Sequence, residues 1–461
     1  GMIRIALESI SANFAATRNA CKLCTPLGAC LAFAGIEGCV PFLHGSQGCS
    51  TYIRRYMISH FREPMDIASS NFSEQSAIFG GEENLQTGLT NVIQGYAPRI
   101  IGIATTCLSE TIGDDVGMFL HEFRARHAGD RIPQLLHVST PSYSGTHSTG
   151  YFAALRAIAE QLVPEPGEDN EAGAASVNLI PGMVSPADLR HLKDTAAEFR
   201  VQLNLMPDYA DRLDGPTWDQ YHRIPAGGTR TETLAAMPDA IATLELASCV
   251  NGETAGNVLT RRFGVENHRI PLPIGLTLCD PFYSLFAAAS GRAIPQRYLD
   301  ERGRLVDSYV DAHKYLFGRR AVVCGDEDMV VALTAFLSEI GIEVTLAASG
   351  GTSGRLEEAI RATAPDLAPG CVIRENIDYE QITELASAGE PEMIVGTSKA
   401  YKLADKLDIP LVRTGFPVHD RMGGARIQHL GYAGTQQLFD RIVNCVIATR
   451  QANSDVPLTY F

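Results

Sequence analysis

The chain has 461 residues, of which 45% are hydrophobic and 20% are charged, as in an ordinary soluble globular protein. It is too long for one compact core, so roughly two to four domains are expected. Its formal net charge of −15 argues against nucleic acid and anionic membranes as partners, because both repel an acidic surface.

Eleven cysteines are scattered along the chain, and we expect no signal peptide. An odd number at irregular spacing is not typical of the disulfide framework of a secreted protein, and reduced thiols in a cytoplasmic compartment fit the pattern better. No run of about twenty apolar residues occurs, so we expect no membrane-spanning helix.

The first residues with chemical interest follow a short lead-in from Met2 to about Asn19. Cys21 and Cys24 form a C-x-x-C pair, which alone suggests zinc or a redox dithiol. A structural zinc site needs four ligands, and no second pair follows at zinc-ribbon spacing. We therefore discount this interpretation.

Three cysteines stand beside small or turn-forming residues, namely Cys24, Cys49 and Cys107. The run GSQG at 45–48 predicts a tight turn that presents Cys49 inward, because glycine accepts positive φ. Three thiolates from separate loops can hold one face of an iron–sulfur cluster. The alternative is that they are small buried hydrophobic side chains, as most free cysteines are.

A helix is predicted behind this turn, over 51–58, and its N-terminus favours the negative charge of a thiolate cluster. Tyr52 would lie just beyond such a cluster or be an ordinary half-buried tyrosine. Phe79 stands in a glycine-flanked loop, either as an exposed anchor or as a surface plug. The hydrophobic spacing then predicts an amphipathic helix over 83–96 and a buried strand over 99–104.

Other catalytic signatures are missing from the sequence. It contains no H-E-x-x-H pair, no G-x-S-x-G elbow and no Walker A motif, so we do not expect this chain to hydrolyse ATP. His44, His60 and His147 lie near the thiols and are expected to be hydrogen-bonded structural histidines. Asp114 and Asp115 are expected to cap a helix or to bind loop backbone.

Strands alternate with helices to the end of the chain, which predicts an α/β fold with parallel sheets covered by helices. Ligands in such folds bind at the carboxyl ends of strands. Two boundaries are indicated, by the polar, proline-rich segment 164–170 and by Gly318 after the amphipathic run 297–317. The predicted Rossmann-like domains are 1–165 with the cluster cysteines, 166–318, and 319–461 with a C-terminal helix. The further candidate strands are 134–139, 176–180, 201–206, 240–247, 321–324, 343–347, 393–395 and 410–413.

Several segments resemble the β-type subunit of nitrogenase component 1. The long ones are CTPLGA at 24–29, PFLHGSQGC at 41–49, TTCLSETIGDD at 105–115 and TPSYSGTH at 140–147. Shorter matches follow at 180–182, 213–216 and 413–417. The resemblance runs nearly from end to end.

The resemblance implies three α/β domains and an [8Fe-7S] P-cluster near the domain and subunit interfaces, shared with an α-type subunit. By motif match, Cys24, Cys49 and Cys107 would be the ligands from this chain, and Ser142 would add its oxygen when the cluster is oxidised. Because the remaining ligands would lie on the partner, the sequence does not decide between this cluster and a [4Fe-4S] cluster. Tyr52 matches a residue between the cluster and the cofactor of the α-type subunit. Phe79 matches an aromatic residue at the docking surface of the iron protein.

The implied assembly is an α2β2 heterotetramer that receives electrons from an ATP-dependent iron protein. This chain would relay electrons, and the substrate site would lie on the α-type subunit. The substrate would be dinitrogen, as in nitrogen fixation, or another small molecule such as a methylthio-alkane, since related reductases resemble nitrogenase in both subunits.

One segment favours a different member of the family. Residues 21–38 look closer to the scaffold subunit on which the iron–molybdenum cofactor is built. Well-known scaffold subunits lack several of the β-side cysteines, whereas this chain keeps all three together with Ser142. The electron-relay subunit is therefore the leading hypothesis, and the non-catalytic scaffold is the alternative.

Overall fold

The computed structural model describes residues 21–167 and 175–455, so the lead-in and part of the predicted segment 164–170 lie outside the described residues. The first sheet has four parallel strands in the order β2-β1-β3-β4. They are β1 (Cys39–His44), β2 (Ala68–Ser69), β3 (Ile100–Thr105) and β4 (Gln134–Val138). Its helices are α1 (Thr25–Ala34), α2 (Gln47–Phe61), α3 (Glu74–Phe79), α4 (Glu82–Tyr96), α5 (Cys107–Thr111), α6 (Val116–Arg126) and α7 (His147–Gln161), with a 3-10 turn at Ser142–Ser144.

The second sheet repeats the same arrangement, with four parallel strands in the order β6-β5-β7-β8. The strands are β5 (Ser176–Ile180), β6 (Gln202–Leu205), β7 (Ala242–Leu246) and β8 (Glu266–Ile270). The helices around it are α8 (Pro186–Glu198), α9 (Ala210–Leu213), α10 (Thr231–Ala236), α11 (Ala255–Phe263), α12 (Leu276–Ser290) and α13 (Gln296–Leu316), with a 3-10 turn at Met237–Asp239.

The third sheet has five parallel strands in the doubly wound order β11-β10-β9-β12-β13. The strands are β9 (Arg320–Gly325), β10 (Glu343–Ser349), β11 (Val372–Arg374), β12 (Met393–Gly396) and β13 (Leu411–Arg413). Its helices are α14 (Glu327–Glu339), α15 (Leu356–Thr363), α16 (Tyr379–Ala388), α17 (Tyr401–Leu407) and α18 (Gly431–Ala452), with 3-10 turns at Ser398–Ala400 and Gly424–Arg426.

The three parallel sheets with flanking helices confirm the predicted fold class. Strands β1, β3, β5 and β7 are buried along their whole length, as expected for a parallel sheet covered on both faces. Nine strands begin and end within two residues of the predicted bounds, and β1, β2, β8 and β11 were not predicted. The domain boundaries at 165 and 318 stay a prediction.

The sheets share one continuous core of buried side chains, which extends from Leu23 through the second sheet to Val446. The buried Arg212 guanidinium joins the first two sheets by donating to the carbonyl oxygens of Cys39, at 2.8 Å, and Ala34, at 3.3 Å. Among the helices described, none is both long and apolar enough to cross a lipid bilayer.

Candidate functional site

Four side chains with sulfur or oxygen donors stand at helix starts in the first sheet. Cys24 immediately precedes α1, Cys49 lies in the first turn of α2, Cys107 begins α5, and Ser142 begins a 3-10 turn. Helices α2 and α5 follow the central strands β1 and β3, where the chain direction across the sheet reverses. This switch point is where ligands bind in doubly wound sheets.

Short contacts show that the four residues meet in space. The Thr25 amide donates to Ser142 Oγ at 3.1 Å, and the Ser142 amide donates to Cys107 Sγ at 3.1 Å. The thiol of Cys24 lies within electrostatic range of both Cys49 and Cys107. The structure therefore brings together Cys24, Cys49, Cys107 and Ser142, the four residues that the resemblance implies as ligands.

A glycine allows the ends of β1 and β3 to approach each other. A Cβ atom on Gly45 would lie 2.1 Å from Thr106 Oγ1, and the Thr106 amide donates to the His44 carbonyl oxygen at 3.2 Å. Gly48 has no such role, because its Cβ would meet only Ser46 Oγ, at 3.8 Å. The predicted turn over 45–48 is wrong in this respect: helix α2 already begins at Gln47, so Cys49 is presented by a helix rather than by a loop.

Two further glycines fix the Cys24 end of α1 against α7. A Cβ on Gly28 would lie 1.7 Å from the His147 carbonyl oxygen, and a Cβ on Gly150 would lie 1.8 Å from the Thr25 carbonyl oxygen. The His147 ring adds a contact at the same place, since Nδ1 accepts a hydrogen bond from the Leu23 amide at 3.1 Å. Burial lowers the pKa of His147 to about 3, so the ring is neutral and free to accept.

The other histidines and acids near the thiols have structural contacts. His44 bonds Ser70 Oγ at 3.0 Å and Asp114 Oδ2 at 2.7 Å, and His60 Nδ1 accepts from the Val418 amide at 2.7 Å. Asp114 also accepts from the Gly81 amide at 3.2 Å. Asp115 caps α6 by accepting from the Met118 amide at 2.9 Å. These contacts confirm the structural roles predicted for both residue types.

The environment of these side chains fits iron ligands better than it fits free thiols. Burial, with a further contribution from the thiols of Cys49 and Cys107, raises the pKa of Cys24 to about 12, and burial also raises the pKa of Cys49. Iron binding keeps thiolates deprotonated and offsets this cost. The buried Thr25 Oγ1 beside Cys24 has no hydrogen-bond partner. Three thiols and a hydroxyl, gathered at helix N-termini, fit an iron–sulfur cluster.

Within the described ranges, no group of three or more His, Cys, Asp or Glu side chains is placed to hold a single metal ion. Cys21 is no exception, because it is buried among Val322 and Cys324 in the core of the third sheet. Its environment agrees with discounting the C-x-x-C pair.

The comparison with known proteins agrees with this geometry. A family model described as nitrogenase component 1 type oxidoreductase matches residues 24–447. The chain belongs to the nitrogenase component 1 family. The matched region begins at Cys24 and includes all three sheets.

Relatives within the nitrogenase component 1 family include two kinds of β-type protein. The nitrogenase molybdenum-iron protein beta chain of Methanothermobacter marburgensis is 36% identical over 434 residues, covering 92% of this chain and 93% of that protein. The nitrogenase iron-molybdenum cofactor biosynthesis protein NifN of Bradyrhizobium diazoefficiens is 30% identical over 436 residues, covering 94% of this chain and 90% of that protein. These similarities confirm the predicted β-type relationship.

A solved structure described as nitrogenase Cp1 at pH 6.5 matches this chain with a TM-score of 0.91 and 31% identity. The match covers 96% of each chain. The fold derived above is therefore that of a nitrogenase component 1 protein over nearly its whole length.

Of the two aromatic residues discussed in the sequence analysis, Tyr52 is half-buried near Cys24 and Phe79 is exposed. Tyr52 is half-buried on α2, within electrostatic range of Cys24, and its ring centroid lies 4.8 Å from that of Tyr56. Phe79 ends α3 with 85% of its surface exposed, beside Ile78 with 64% exposed.

Hydrogen bonds and a ring contact connect the segment that follows Phe79 to the loops of the site. Asp114 accepts from the Gly81 amide on one side and bonds His44 at the end of β1 on the other. The ring of Phe72 packs edge-on against His44, with centroids 4.7 Å apart. These contacts connect the segment after Phe79 with the segments that carry Cys49 and Cys107.

Sequence reasoning missed Lys399, which reaches from the third sheet to the segment before Cys24. Its Nζ donates to the Lys22 carbonyl oxygen at 3.3 Å and lies 5.6 Å from the centroid of the Tyr56 ring. Its position directly after the predicted strand 393–395 was the one available signal, because ligands gather at strand ends.

Proposed function

We propose that this chain is the β-type subunit of a nitrogenase-like two-component reductase and holds half of an [8Fe-7S] P-cluster-type centre. The observation that carries the proposal is the convergence of Cys24, Cys49, Cys107 and Ser142 at the switch point of the first sheet. The three thiols would be the ligands. The Ser142 hydroxyl would add an oxygen ligand in the oxidised state, because a harder donor suits more oxidised iron.

The arrangement of the thiols favours a shared cluster over a closed site. All three residues are half-buried in the isolated chain, so none is fully enclosed by this chain alone. They lie within range of one another without surrounding a point where one ion could sit. An α-type subunit would supply the remaining ligands in an α2β2 heterotetramer, and a [4Fe-4S] centre is the smaller alternative.

The cluster, when bound, would supply electron storage and transfer. The residues of this chain hold and orient it. The N-termini of α1 and α2 favour the negative charge of the thiolates, and the Ser142 amide donates directly to Cys107 Sγ. Gly45 and Gly28 allow the backbone to approach closely, so the donor positions are set by packing.

Electrons would enter from an ATP-dependent iron protein that docks over Phe79, and leave past Tyr52 toward a cofactor in the α-type subunit. The exposed ring of Phe79 supports the first step, and the position of Tyr52 beside Cys24 supports the second. The substrate site would lie on the α-type subunit, with dinitrogen or another small molecule such as a methylthio-alkane as the substrate.

A reducing cytoplasm is the compartment that fits this role. All eleven cysteines fall within the described residues, and all are free. Free thiols in this number are typical of proteins kept reduced by cellular thiols.

The second candidate is a scaffold subunit for iron–molybdenum cofactor biosynthesis. The resemblance of residues 21–38 and the 30% identity to a protein named for cofactor biosynthesis favour it. The complete donor set favours the relay subunit, as does the 36% identity to a protein named as a molybdenum-iron protein beta chain.

The native complex, purified without air and assayed with its iron protein, ATP and a reductant, separates the two. Catalytic reduction of acetylene, dinitrogen or a thioether supports the reductase. Release of a cofactor precursor to an acceptor protein, without turnover, would establish the scaffold instead. A colourless complex without iron contradicts both proposals.

A further inference from the structure

A lysine of the third sheet lies against the loop that carries Cys24. Lys399 follows the carboxyl end of β12, where the Thr397 hydroxyl accepts from the Lys399 amide at 3.3 Å. From there the side chain crosses to the first sheet, and its ammonium donates to the carbonyl oxygen of Lys22, at 3.3 Å. Lys22 stands two residues before Cys24.

The surroundings of this ammonium are unusual for a lysine. It is half-buried, and the Tyr56 ring centroid is 5.6 Å from Nζ, within the range of a cation–π contact. The acidic groups that act on it are the thiols of Cys21 and Cys24, with no carboxylate among them. Lysines are seldom buried unless they are paired, because desolvation of the charge is costly.

The charge of Lys399 acts on other groups around the site as well. It opposes protonation of His147, the ring that anchors Leu23, and of His419. Burial disfavours the charged form of both histidines, whereas Lys399 is acted on by the thiols of Cys21 and Cys24. A thiolate cluster at Cys24 would provide the opposite charge that this lysine otherwise lacks.

We propose that Lys399 is a positioning residue whose positive charge raises the reduction potential of the cluster held by Cys24, an inference that rests on the proposed function. A nearby cation stabilises the more negatively charged, reduced state over the oxidised one, and the effect is strong where little water intervenes. The step concerned is the gain of one electron from the iron protein. Lys399 makes and breaks no bond in this step and transfers no proton.

The test compares Lys399→Met, which removes the charge at similar length, with Lys399→Arg, which keeps it. Lys402→Met is the matched control, because it removes one positive charge from the exposed side of the same segment. Each complex is measured for iron per αβ pair, for melting temperature and for midpoint potential by redox titration followed by electron paramagnetic resonance. We expect a more negative midpoint for Lys399→Met at unchanged iron content, with Lys399→Arg and Lys402→Met close to the wild type.

The outcomes distinguish this inference from the function on which it rests. A wild-type complex without iron overturns the proposed function and the role of Lys399 with it. A loaded Lys399→Met complex with the wild-type midpoint, or an equal shift in Lys402→Met, overturns the role of Lys399 alone. If Lys399→Met loses iron, Lys399→Gln replaces it, since glutamine is uncharged but keeps a polar hydrogen-bond donor at this position. Loss of iron or an unshifted midpoint in Lys399→Gln also overturns that role.

Discussion

Substitution of Gly28 by alanine tests whether the contact between α1 and α7 holds the donor site in place. The added methyl group would lie 1.7 Å from the His147 carbonyl oxygen and 2.8 Å from the Tyr151 amide nitrogen. Ordinary contact needs about 3.5 Å, so the two helices must separate by roughly 1.8 Å. The obstructing atoms belong to the backbone and cannot rotate away. Cys24, which immediately precedes α1, would move with that helix.

Overpacking of this kind costs about 1–3 kcal/mol, and alanine regains about 1 kcal/mol over glycine in a helix interior. The overlap with backbone puts the cost of Gly28→Ala at the upper end, so we expect a net loss of about 2 kcal/mol in the free energy of unfolding. In an unfolding unit of about 150–250 residues, the size of the predicted first domain, that loss corresponds to a fall of about 4–8 °C in melting temperature. Iron per αβ pair should fall as well.

Gly95→Ala is the matched control, because Gly95 also lies in a helix and its Cβ would meet nothing within 4 Å. We expect it to melt at or slightly above the wild-type temperature with full iron. The two variants are compared by scanning calorimetry and by iron analysis of the purified complex. Wild-type melting temperature and iron content in Gly28→Ala would refute the close helix contact and its role in placing Cys24.

Three further substitutions test other parts of the site. Cys49→Ala should lose or remodel the cluster and its spectroscopic signal. Cys445→Ala, in the middle of α18, should lower the free energy of unfolding by on the order of 1 kcal/mol and keep all iron. The reverse pattern would contradict the ligand assignment. Phe79→Ala should weaken binding of the iron protein by about 1–3 kcal/mol and leave the iron content unchanged. Binding is measured by titration with the iron protein, and Phe317→Ala is the control, because Phe317 is also largely exposed, at 70%. Loss of iron without loss of binding would contradict a docking role for Phe79. Burial lowers the pKa of His60 to about 3, from about 6.5 in the unfolded chain. As the pH drops, the unfolded chain therefore binds a proton at His60 before the folded chain does. The free energy of unfolding of the wild type falls between pH 6.5 and pH 3 as a result. The difference in free energy of unfolding between the wild type and His60→Gln should therefore be largest at pH 7.5 and decrease in acid by at most about 5 kcal/mol. If thermal melts show a difference that does not depend on pH, the buried ring is not neutral.

The four candidate donors came from motif resemblance, because the spacing of the cysteines alone left open whether they are inert buried thiols. Cys107 follows the predicted strand β3 and Cys49 follows β1 at a short distance, and strands of a parallel sheet end at one edge. Strand β1 itself was not predicted, since Pro41 and His44 interrupt its apolar pattern. Strand β8 was missed because it lies at the edge of its sheet and is largely polar, so it lacks the hydrophobic run of a central strand.

The features that the sequence could not supply depend on contacts between distant segments. Gly28 is an unremarkable helical glycine until α7 is packed against it. Lys399 is one cation on a short turn until the third sheet is docked beside Tyr56 and Lys22. Burial likewise decides that His147 is neutral, and no linear pattern records burial of that depth.

All four proposed donors lie between Cys24 and Ser142, so every residue of the proposed half-site belongs to the segment that forms the first sheet. During synthesis this part of the chain leaves the ribosome before the second and third sheets exist, and domains generally fold in that order. We therefore expect the proposed donors to come together while the chain is still growing, before the third sheet brings Lys399 to the Lys22 carbonyl oxygen.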